Sequence, residues 1–302
     1  MGKNKPLVSI ITITRNRANL IDDAINSVLN QSYKNIEYII VNGASNDNTI
    51  DVVNNFKDKR IILINLDENY SVIKTMQIGF RKSQGDYITF LDDDDEYLPT
   101  KIEKQLNLIE SLPKDYGFVY CWMDYYDKTT KKLLREHHTK LRGDVAELVV
   151  EKPIVSGTPT FFFRRSVFEE LGGWKDNTGI ISDWELAARA CQHYKVDYVP
   201  EVLVRVYENH GSLRMSENEY YKDMYNRNIH FHTYFLKEFS SVFNKYPAKK
   251  RNHLYTIAYS HFLQGNIING FKVYFQLIRV NFSFKTFVLP LNCLLKFLIR
   301  KN

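Results

Sequence analysis

The stretch FLDDDD, residues 90–95, places four consecutive aspartates directly after an apolar run. That run, YITFL at residues 87–91, has the β-branched and aromatic composition of a buried strand. Ligands of open α/β sheets bind at the carboxyl ends of strands, and Mg²⁺ and Mn²⁺ typically use one or two carboxylates together with substrate phosphates. Two interpretations follow. A run of aspartates alone is typical of a solvated acidic turn, whereas its position after a strand favours a site for a divalent cation and a phosphorylated ligand.

Strands and helices alternate on the amino-terminal side of this stretch. Their connections are too long for hairpins, which indicates an α/β fold with a mostly parallel, Rossmann-like sheet flanked by helices. The first turn between strand and helix lacks the G-x-G-x-x-G pattern, which counts against an NAD enzyme. The predicted strands are 8–13, 36–41, 61–65 and 87–91, and the predicted helices are 20–30, 49–56 and 72–83.

The pattern changes twice along the rest of the chain. The section 124–164 is mixed, with its clearest strand at Phe161–Phe163, and residues 165–195 look helical with an interruption. From about residue 215 the chain is helical and rich in aromatic residues, with predicted helices at 218–239, 252–264, 269–280 and 284–300. We therefore expect an α/β domain at residues 1–214 and a helical carboxyl-terminal extension at residues 215–302.

The cysteine content and the apolar segments of the chain indicate the cellular compartment in which it works. The three cysteines are widely spaced and odd in number, which indicates neither a disulfide framework nor a zinc site and fits a reducing compartment. The amino terminus leads into a strand pattern without the features of a signal peptide, and no apolar run reaches the roughly 18 residues expected of a membrane span. We therefore expect a cytoplasmic protein.

Charge is divided unevenly between the two expected domains. Residues 1–214 contain 28 Lys/Arg and 31 Asp/Glu, whereas residues 215–302 contain 13 and 4. A basic tail indicates an acidic partner, and since no nucleic-acid-binding motif accompanies it, nucleic acid is not expected. Either the tail packs on the α/β domain, or its last segment, 287–298, contacts the inner face of an anionic membrane.

Six motifs, in order and at plausible spacing, resemble those of family 2 glycosyltransferases of the GT-A fold, over roughly residues 7–214. The resemblance implies an inverting enzyme that moves a sugar from a nucleotide-diphosphate donor to a hydroxyl of a glycan or lipid-linked saccharide. The motifs are VSIITITRNR (8–17), VNGASNDNT (41–49), GDYITFLDDDDEYLP (85–99), a segment from residue 163 to 174, SDWE (182–185) and a segment from residue 199 to 212.

The resemblance also implies roles for individual residues. Asp183 corresponds to the general base, and Trp184 to a wall of the sugar pocket. A divalent metal, Mn²⁺ or Mg²⁺, is expected at Asp94, Asp92 and His210. Contacts to the nucleotide sugar are expected from Thr14, Arg15, Asn16, Asn42, Ser45, Asp47, Asp92, Asp93 and Trp184.

Simpler interpretations of three residues stay open. Asp183 could cap the helix that follows it, Trp184 could belong to the core, and His210 could be an ordinary surface residue. The motifs also differ from the family pattern: Asn42 stands where an aspartate usually contacts uracil, Arg15 where a tyrosine often stacks on the base, and Ser182 where a glutamate usually precedes the base. A UDP-sugar is the default donor.

Two rival functions deserve comparison. A sugar-1-phosphate nucleotidyltransferase has a related fold but needs a glycine-rich basic loop after the first strand, and residues 14–17 (TRNR) contain no glycine. A non-catalytic module that binds a nucleotide sugar would have lost its base, whereas Asp183 is present. The resemblance is therefore favoured over these rivals, and it implies a hexosyltransferase that acts in polysaccharide biosynthesis for a bacterial cell envelope.

Overall fold

A mixed β-sheet forms the core of the amino-terminal two thirds of the chain. The computed structural model describes residues 5–153, 155, 157–175, 182–209, 217–280 and 284–290. Over these residues the sheet has nine strands: β1 Val8–Thr14, β2 Ile36–Asn42, β3 Ile61–Asn65, β4 Tyr87–Phe90, β5 Glu96–Tyr97, β6 Tyr116–Asp127, β7 Leu133–His137, β8 Phe162–Arg164 and β9 Lys195–Glu208. The α-helices are α1 Ile21–Leu29, α2 Thr49–Asn55, α3 Val72–Lys82, α4 Lys101–Ser111, α5 Ala146–Val149, α6 Arg165–Glu170, α7 Ser182–Cys191, α8 Glu217–Glu238, α9 Ser240–Lys245, α10 Arg251–Leu263, α11 Ile267–Val280 and α12 Phe284–Phe287.

The strand order is β3-β2-β1-β4-β8-β6-β9-β5, and β7 pairs with β6. The first four strands in this order are parallel, as the alternating pattern predicts, and β6 and β9 are also parallel. Strand β8 is antiparallel to both of its neighbours, and β5 and β7 are antiparallel to theirs. Because Thr14 pairs with Asn42 and Asn42 with Asn65, the carboxyl ends of β1, β2 and β3 meet at one edge.

Helices cover both faces of the parallel strands, which explains why β1 and β2 are apolar along nearly their whole length. On one face, Ile10 and Ile40 pack with the buried residues of α1. On the other face α3 lies very close, because a Cβ added at Gly79 would stand only 2.7 Å from Ile11 Cγ2. The absence of a side chain at Gly79 therefore sets the separation of α3 from the sheet.

The section 124–164 contains a hairpin that its sequence did not reveal. Strand β6 runs into this section as far as Asp127, and β7 folds back along it with Met123 opposite His137. The exposed side chains of β7 include two leucines, so the hairpin lacks the alternation that marks a half-buried strand. Pairing with β6 holds it in place.

The chain divides into two compact units, Met1–Val145 with Ile154–Gly211, and Ala146–Pro153 with Ser212–Asn302. The second unit is helical, as expected, and includes α5, although α5 lies within the sequence of the first unit. A cluster built from α10 and α11 forms part of its core. Among the described residues, no helix is long and apolar enough to cross a membrane.

Candidate active site

The aspartate run forms a turn at the carboxyl end of β4. The Asp95 amide donates a 3.2 Å hydrogen bond to the carbonyl of Asp92, which closes the turn. The Asp95 side chain is only 2% exposed, and its Oδ1 accepts a 3.0 Å hydrogen bond from the amide of Tyr207 in β9. Asp95 thus ties the turn to the sheet. Asp92 and Asp94 lie between buried neighbours and are themselves partly exposed.

Asp93 is buried beneath the turn and faces Arg17, whose Nε lies 3.9 Å from Asp93 Oδ1. Burial, followed by the charge of Asp94, raises the pKa of Asp93 to about 7, while Arg17 opposes the shift. A cation close to Asp93 therefore favours the ionised form of its carboxyl group. Arg17 is the last residue of the motif VSIITITRNR, and the motif itself does not indicate that Arg17 faces a buried aspartate.

The loops that follow β1 and β2 are interlocked by hydrogen bonds. The Asn16 amide donates to Ser45 Oγ at 2.9 Å, and Asn16 Oδ1 accepts from the Asn46 amide at 2.9 Å. Asp47 Oδ2 accepts from the Ala18 amide at 3.3 Å. Burial raises the pKa of Asp47, but its hydrogen bonds, led by those from Thr49, outweigh burial and leave the pKa lowered. Asn16, Ser45 and Asp47 therefore lie in two loops that hydrogen bonds hold together.

Two further predicted nucleotide contacts, Thr14 and Asn42, are buried at the paired ends of β1 and β2. The Asn42 side chain donates to Asn65 Oδ1 at 3.2 Å and accepts from the Ser45 amide at 3.3 Å. Its amide group thus supports the second loop. Arg15, in contrast, is exposed at the same edge. The contacts of these residues with a nucleotide remain predictions.

Asp183 lies in the first turn of α7, one residue after the helix begins. Its two carboxylate oxygens accept hydrogen bonds from different segments: Oδ2 from the Gly157 amide at 2.8 Å, and Oδ1 from the Trp184 amide at 2.7 Å. A simple cap residue would precede the helix and serve only that helix. The bond to Gly157 gives Asp183 a fixed direction that capping does not require.

Burial raises the pKa of Asp183 above its ordinary value, and the amides of Gly157 and Trp184 and the charge of His137 oppose the shift only in part. His137, at the end of β7, is close enough that the two groups shift each other's pKa. A carboxylate with a raised pKa is a stronger base than an exposed aspartate. Sequence reasoning missed both Gly157 and His137, because neither belongs to a recognised motif.

Gly157 has φ of +93°, a conformation that favours glycine. A Cβ at this position would lie 2.6 Å from Met123 Cε, so the side chain of Met123 fills the space beside Gly157. Since Met123 pairs with His137 across the β6–β7 hairpin, that hairpin is connected through Gly157 to Asp183.

The rest of the SDWE motif anchors α7. Glu185 is fully buried and pairs with Arg189 one helical turn later at 2.8 Å. Arg189 also donates to the carbonyl of Gly173 at 2.9 Å, so the Glu185–Arg189 pair joins α7 to the segment that follows α6. Trp184 is 4% exposed, which places most of its ring in the interior. Its role as a pocket wall remains a prediction.

The donor set of the turn fits a hard divalent cation. Asp92 and Asp94 provide carboxylate oxygens, and Mg²⁺ and Mn²⁺ normally complete their shells with phosphates and water rather than with an all-protein cage. The described part of the chain contains no group of three or more His, Cys, Asp or Glu side chains placed to hold a metal. The third predicted ligand, His210, lies outside the described residues.

Comparisons with known proteins identify the family of this chain. The sequence model of glycosyl transferase family 2 matches residues 9–172, more than half of the chain. An uncharacterized glycosyltransferase of Rickettsia typhi is 30% identical over 66% of this chain and 63% of its own length. The UDP-Glc:alpha-D-GlcNAc-diphosphoundecaprenol beta-1,3-glucosyltransferase WfaP of Escherichia coli is 39% identical over 35% of this chain and 42% of its own length. The chain spans less than two thirds of the length of these curated relatives.

Solved structures show the same fold. S. aureus TarS 1–349 in complex with UDP-GlcNAc superposes with a TM-score of 0.61 at 14% identity, covering 90% of this chain and 91% of TarS 1–349. A mannosyltransferase of Pyrobaculum calidifontis, in complex with GDP-Man and Mn²⁺, gives a TM-score of 0.59 at 16% identity, covering 95% of this chain and 79% of that one.

The fold and the family match define a glycosyltransferase with the GT-A architecture and a helical carboxyl-terminal region. The chain belongs to glycosyl transferase family 2, and the predictions of family and fold class are confirmed.

Proposed function

We propose that this enzyme is an inverting, metal-assisted glycosyltransferase that moves a sugar from a nucleotide-diphosphate donor to a hydroxyl of a glycan or lipid-linked saccharide. The observation that carries the proposal is the fixed carboxylate of Asp183, held by amides from two segments in the same unit as the aspartate turn. A UDP-sugar is the favoured donor. The names of two similar proteins support that choice, since WfaP is described as using UDP-Glc and TarS was solved with UDP-GlcNAc.

In this mechanism Asp183 accepts the proton of the acceptor hydroxyl as its oxygen attacks the anomeric carbon opposite the leaving diphosphate. Attack from that face in a single displacement inverts the anomeric configuration. Proton abstraction by a placed base typically contributes about 10²–10⁴-fold in rate. The amides of Gly157 and Trp184 hold the carboxylate in one orientation, so it needs no rearrangement before it accepts the proton.

On the donor side, Asp92 and Asp94 would hold the metal, and a bound Mn²⁺ or Mg²⁺ would neutralise the charge that develops on the leaving nucleotide. Asp95 keeps the turn on β9, and Arg17 provides the positive charge beside the buried Asp93. The interlocked loops of Asn16, Ser45 and Asp47 form the expected nucleotide side of the site, with the exposed Arg15 at its edge.

The names of similar proteins also support a class of acceptor and a location for the enzyme. WfaP is named for a diphosphoundecaprenol-linked acceptor, and TuaG of Bacillus subtilis, 39% identical over 35% of this chain and 42% of its own length, is described as a putative teichuronic acid biosynthesis glycosyltransferase. We place the enzyme in cell-envelope polysaccharide synthesis, in the cytoplasm beside the inner face of the membrane. Its carboxyl-terminal region would provide the membrane contact.

The Asp183→Asn variant tests the proposal. It keeps a side chain of the same size, so binding of the nucleotide should be nearly unchanged, while sugar transfer should fall by about 10²-fold or more. A nucleotidyltransferase would instead release pyrophosphate from a nucleoside triphosphate, and a binding module would show no transfer before the substitution. Transfer at the unaltered rate in the Asn variant would locate the base elsewhere.

A further inference from the structure

The end of the chain has an unusual charge composition. Residues 239–302 contain ten Lys/Arg and no Asp/Glu. Two of these cations, Lys249 and Arg251, face Glu151 of the same helical unit at 3.1 and 3.9 Å. Other cations of this region project from α11, which has no acidic residue. The charged side chains that α11 itself presents to a partner are therefore all positive.

One face of α11 combines these cations with exposed apolar side chains. Ile268 is 74% exposed and Phe275 is 57% exposed, and Lys272 and Arg279 are exposed between and beyond them. Their spacing of four, three and four residues places them in a single stripe along the helix. We call these four residues the α11 stripe. Its length along the helix axis is about 16 Å.

The rotation of α11 about its own axis is fixed by packing on the opposite side. Tyr274 and Leu277 are buried in the cluster that α10 and α11 share. Gly270 lies against the ring of Phe262, where an added Cβ would stand 2.6 Å from ring atoms. Because that close approach fixes which face of α11 meets α10, the α11 stripe stays on the outside.

Large exposed apolar side chains on a soluble surface mark an interaction site when they occur together. A second copy of the chain is a poor occupant, because a symmetric contact through the stripe would bring Lys272 and Arg279 near their own equivalents. An anionic bilayer fits both components: headgroups attract the cations, and the acyl boundary accepts the apolar side chains.

We propose that the α11 stripe is a docking surface for an anionic lipid bilayer. The inference deepens the proposed function. It rests on that function in one respect, since docking on a bilayer would bring the enzyme close to a lipid-linked acceptor. The sequence pattern predicts membrane contact at residues 287–298. Most of that segment lies outside the described residues, whereas the α11 stripe is described throughout.

Flotation of the full chain with vesicles tests this directly. The unaltered protein should float with vesicles of phosphatidylcholine and phosphatidylglycerol, float far less with phosphatidylcholine alone, and lose binding as salt rises. Removing both cations in Lys272→Gln/Arg279→Gln should weaken binding by about 25-fold, at about fivefold per cation. The Ile268→Gln/Phe275→Gln variant should weaken binding by about tenfold or more, since it removes the apolar contacts.

The matched control is Leu133→Gln/Leu134→Gln, because these leucines are 49% and 44% exposed on β7 and should not affect flotation. Thermal unfolding and UDP titration verify that each variant remains folded. Unchanged flotation of either α11 variant overturns the proposal, as does failure of the unaltered protein to float with anionic vesicles. If the unaltered protein floats normally but binds none of UDP, GDP and TDP in the presence of Mn²⁺, the proposed glycosyl transfer is contradicted and the docking surface is not.

Discussion

The amide of Gly157 donates a 2.8 Å hydrogen bond to Oδ2 of Asp183, across 26 residues of sequence. This bond connects the loop before β8 to the first turn of α7. It means that the candidate base is oriented by a backbone group whose position depends on a glycine conformation. The family motif contains Asp183 but gives no indication of the loop that holds it.

Replacing Gly157 by alanine should reduce transfer without preventing nucleotide binding. The new Cβ would be strained at φ of +93° and would collide with Met123 at 2.6 Å, so the amide should move away from Asp183. We expect a fall in kcat of about 10-fold or more, with a stability loss of about 1–3 kcal/mol. Nucleoside diphosphate release and urea unfolding provide the two measurements.

Gly143→Ala is the matched control for that substitution. Gly143 has φ of +80° but no atom within 4 Å of an added Cβ. The Gly143→Ala variant should therefore show the effect of backbone strain alone. We expect a loss of stability comparable to that of Gly157→Ala, and a rate of transfer close to normal. Equal losses of transfer in the two variants would mean that the Gly157–Asp183 bond has no special part in catalysis.

The pH dependence of transfer should reflect the environment of Asp183. Since burial raises its pKa, the carboxyl remains protonated to a higher pH than an ordinary aspartate, and the basic form is lost earlier as pH falls. The acid limb of the kcat profile should therefore lie above the ordinary aspartate pKa of about 3.9. His137→Phe should shift this limb further upward, because the histidine charge lowers the pKa of Asp183. An acid limb that does not move on replacing His137 would contradict the proximity of the two groups.

The buried pair Glu185–Arg189 should be essential for stability. Glu185→Gln would leave the Arg189 charge largely buried without its carboxylate, which typically costs about 3–5 kcal/mol. The comparison is Glu201→Gln, which removes the partner of Lys104 at an exposed position and should cost less than about 1 kcal/mol. Urea unfolding of both variants measures the two losses of unfolding free energy. Similar losses would show that the buried Glu185–Arg189 pair stabilises the protein no more than the exposed Lys104–Glu201 pair does.

A buried histidine pair should make the helical unit sensitive to acid. His232 Nδ1 lies 2.9 Å from His253 Nδ1, and His253 Nε2 lies 2.7 Å from the carbonyl of Val150. Because a carbonyl only accepts, His253 carries its proton on Nε2 and accepts from His232 through Nδ1. Burial lowers the pKa of His232 to about 3 and that of His253 to about 4.

The unfolded chain therefore binds protons before the folded chain does, and stability should fall as pH drops below about 6.5 towards about 4. Each pKa unit corresponds to about 1.4 kcal/mol, so the loss should reach a few kcal/mol. His232→Phe should reduce this pH dependence, whereas the exposed His230→Gln should leave it unchanged. Thermal unfolding across this pH range is the measurement. An identical slope in the His232 variant would contradict the assignment.

Much of the fold was predictable because local patterns and tertiary structure agree. Strand β3 begins and ends where predicted, and α3 differs only at its last residue, since burial on both sides of the sheet forces continuous apolar strands and amphipathic helices. The β6–β7 hairpin was not predictable, because its exposed leucines and charged residues follow no alternation. Asp183 was recognisable from its motif. Its partners Gly157 and His137 were not, because they reach it through the pairing of distant strands and loops.

The most direct measurement of the central claim is calorimetric titration of the protein with UDP, GDP and TDP, with and without Mn²⁺, in parallel with Asp94→Ala. We predict metal-dependent binding of one nucleotide, UDP by preference, and its loss in the Asp94 variant, because Asp94 provides a carboxylate to the expected metal. Binding that is independent of both Mn²⁺ and Asp94, or no binding of any of the three nucleotides, would contradict the account.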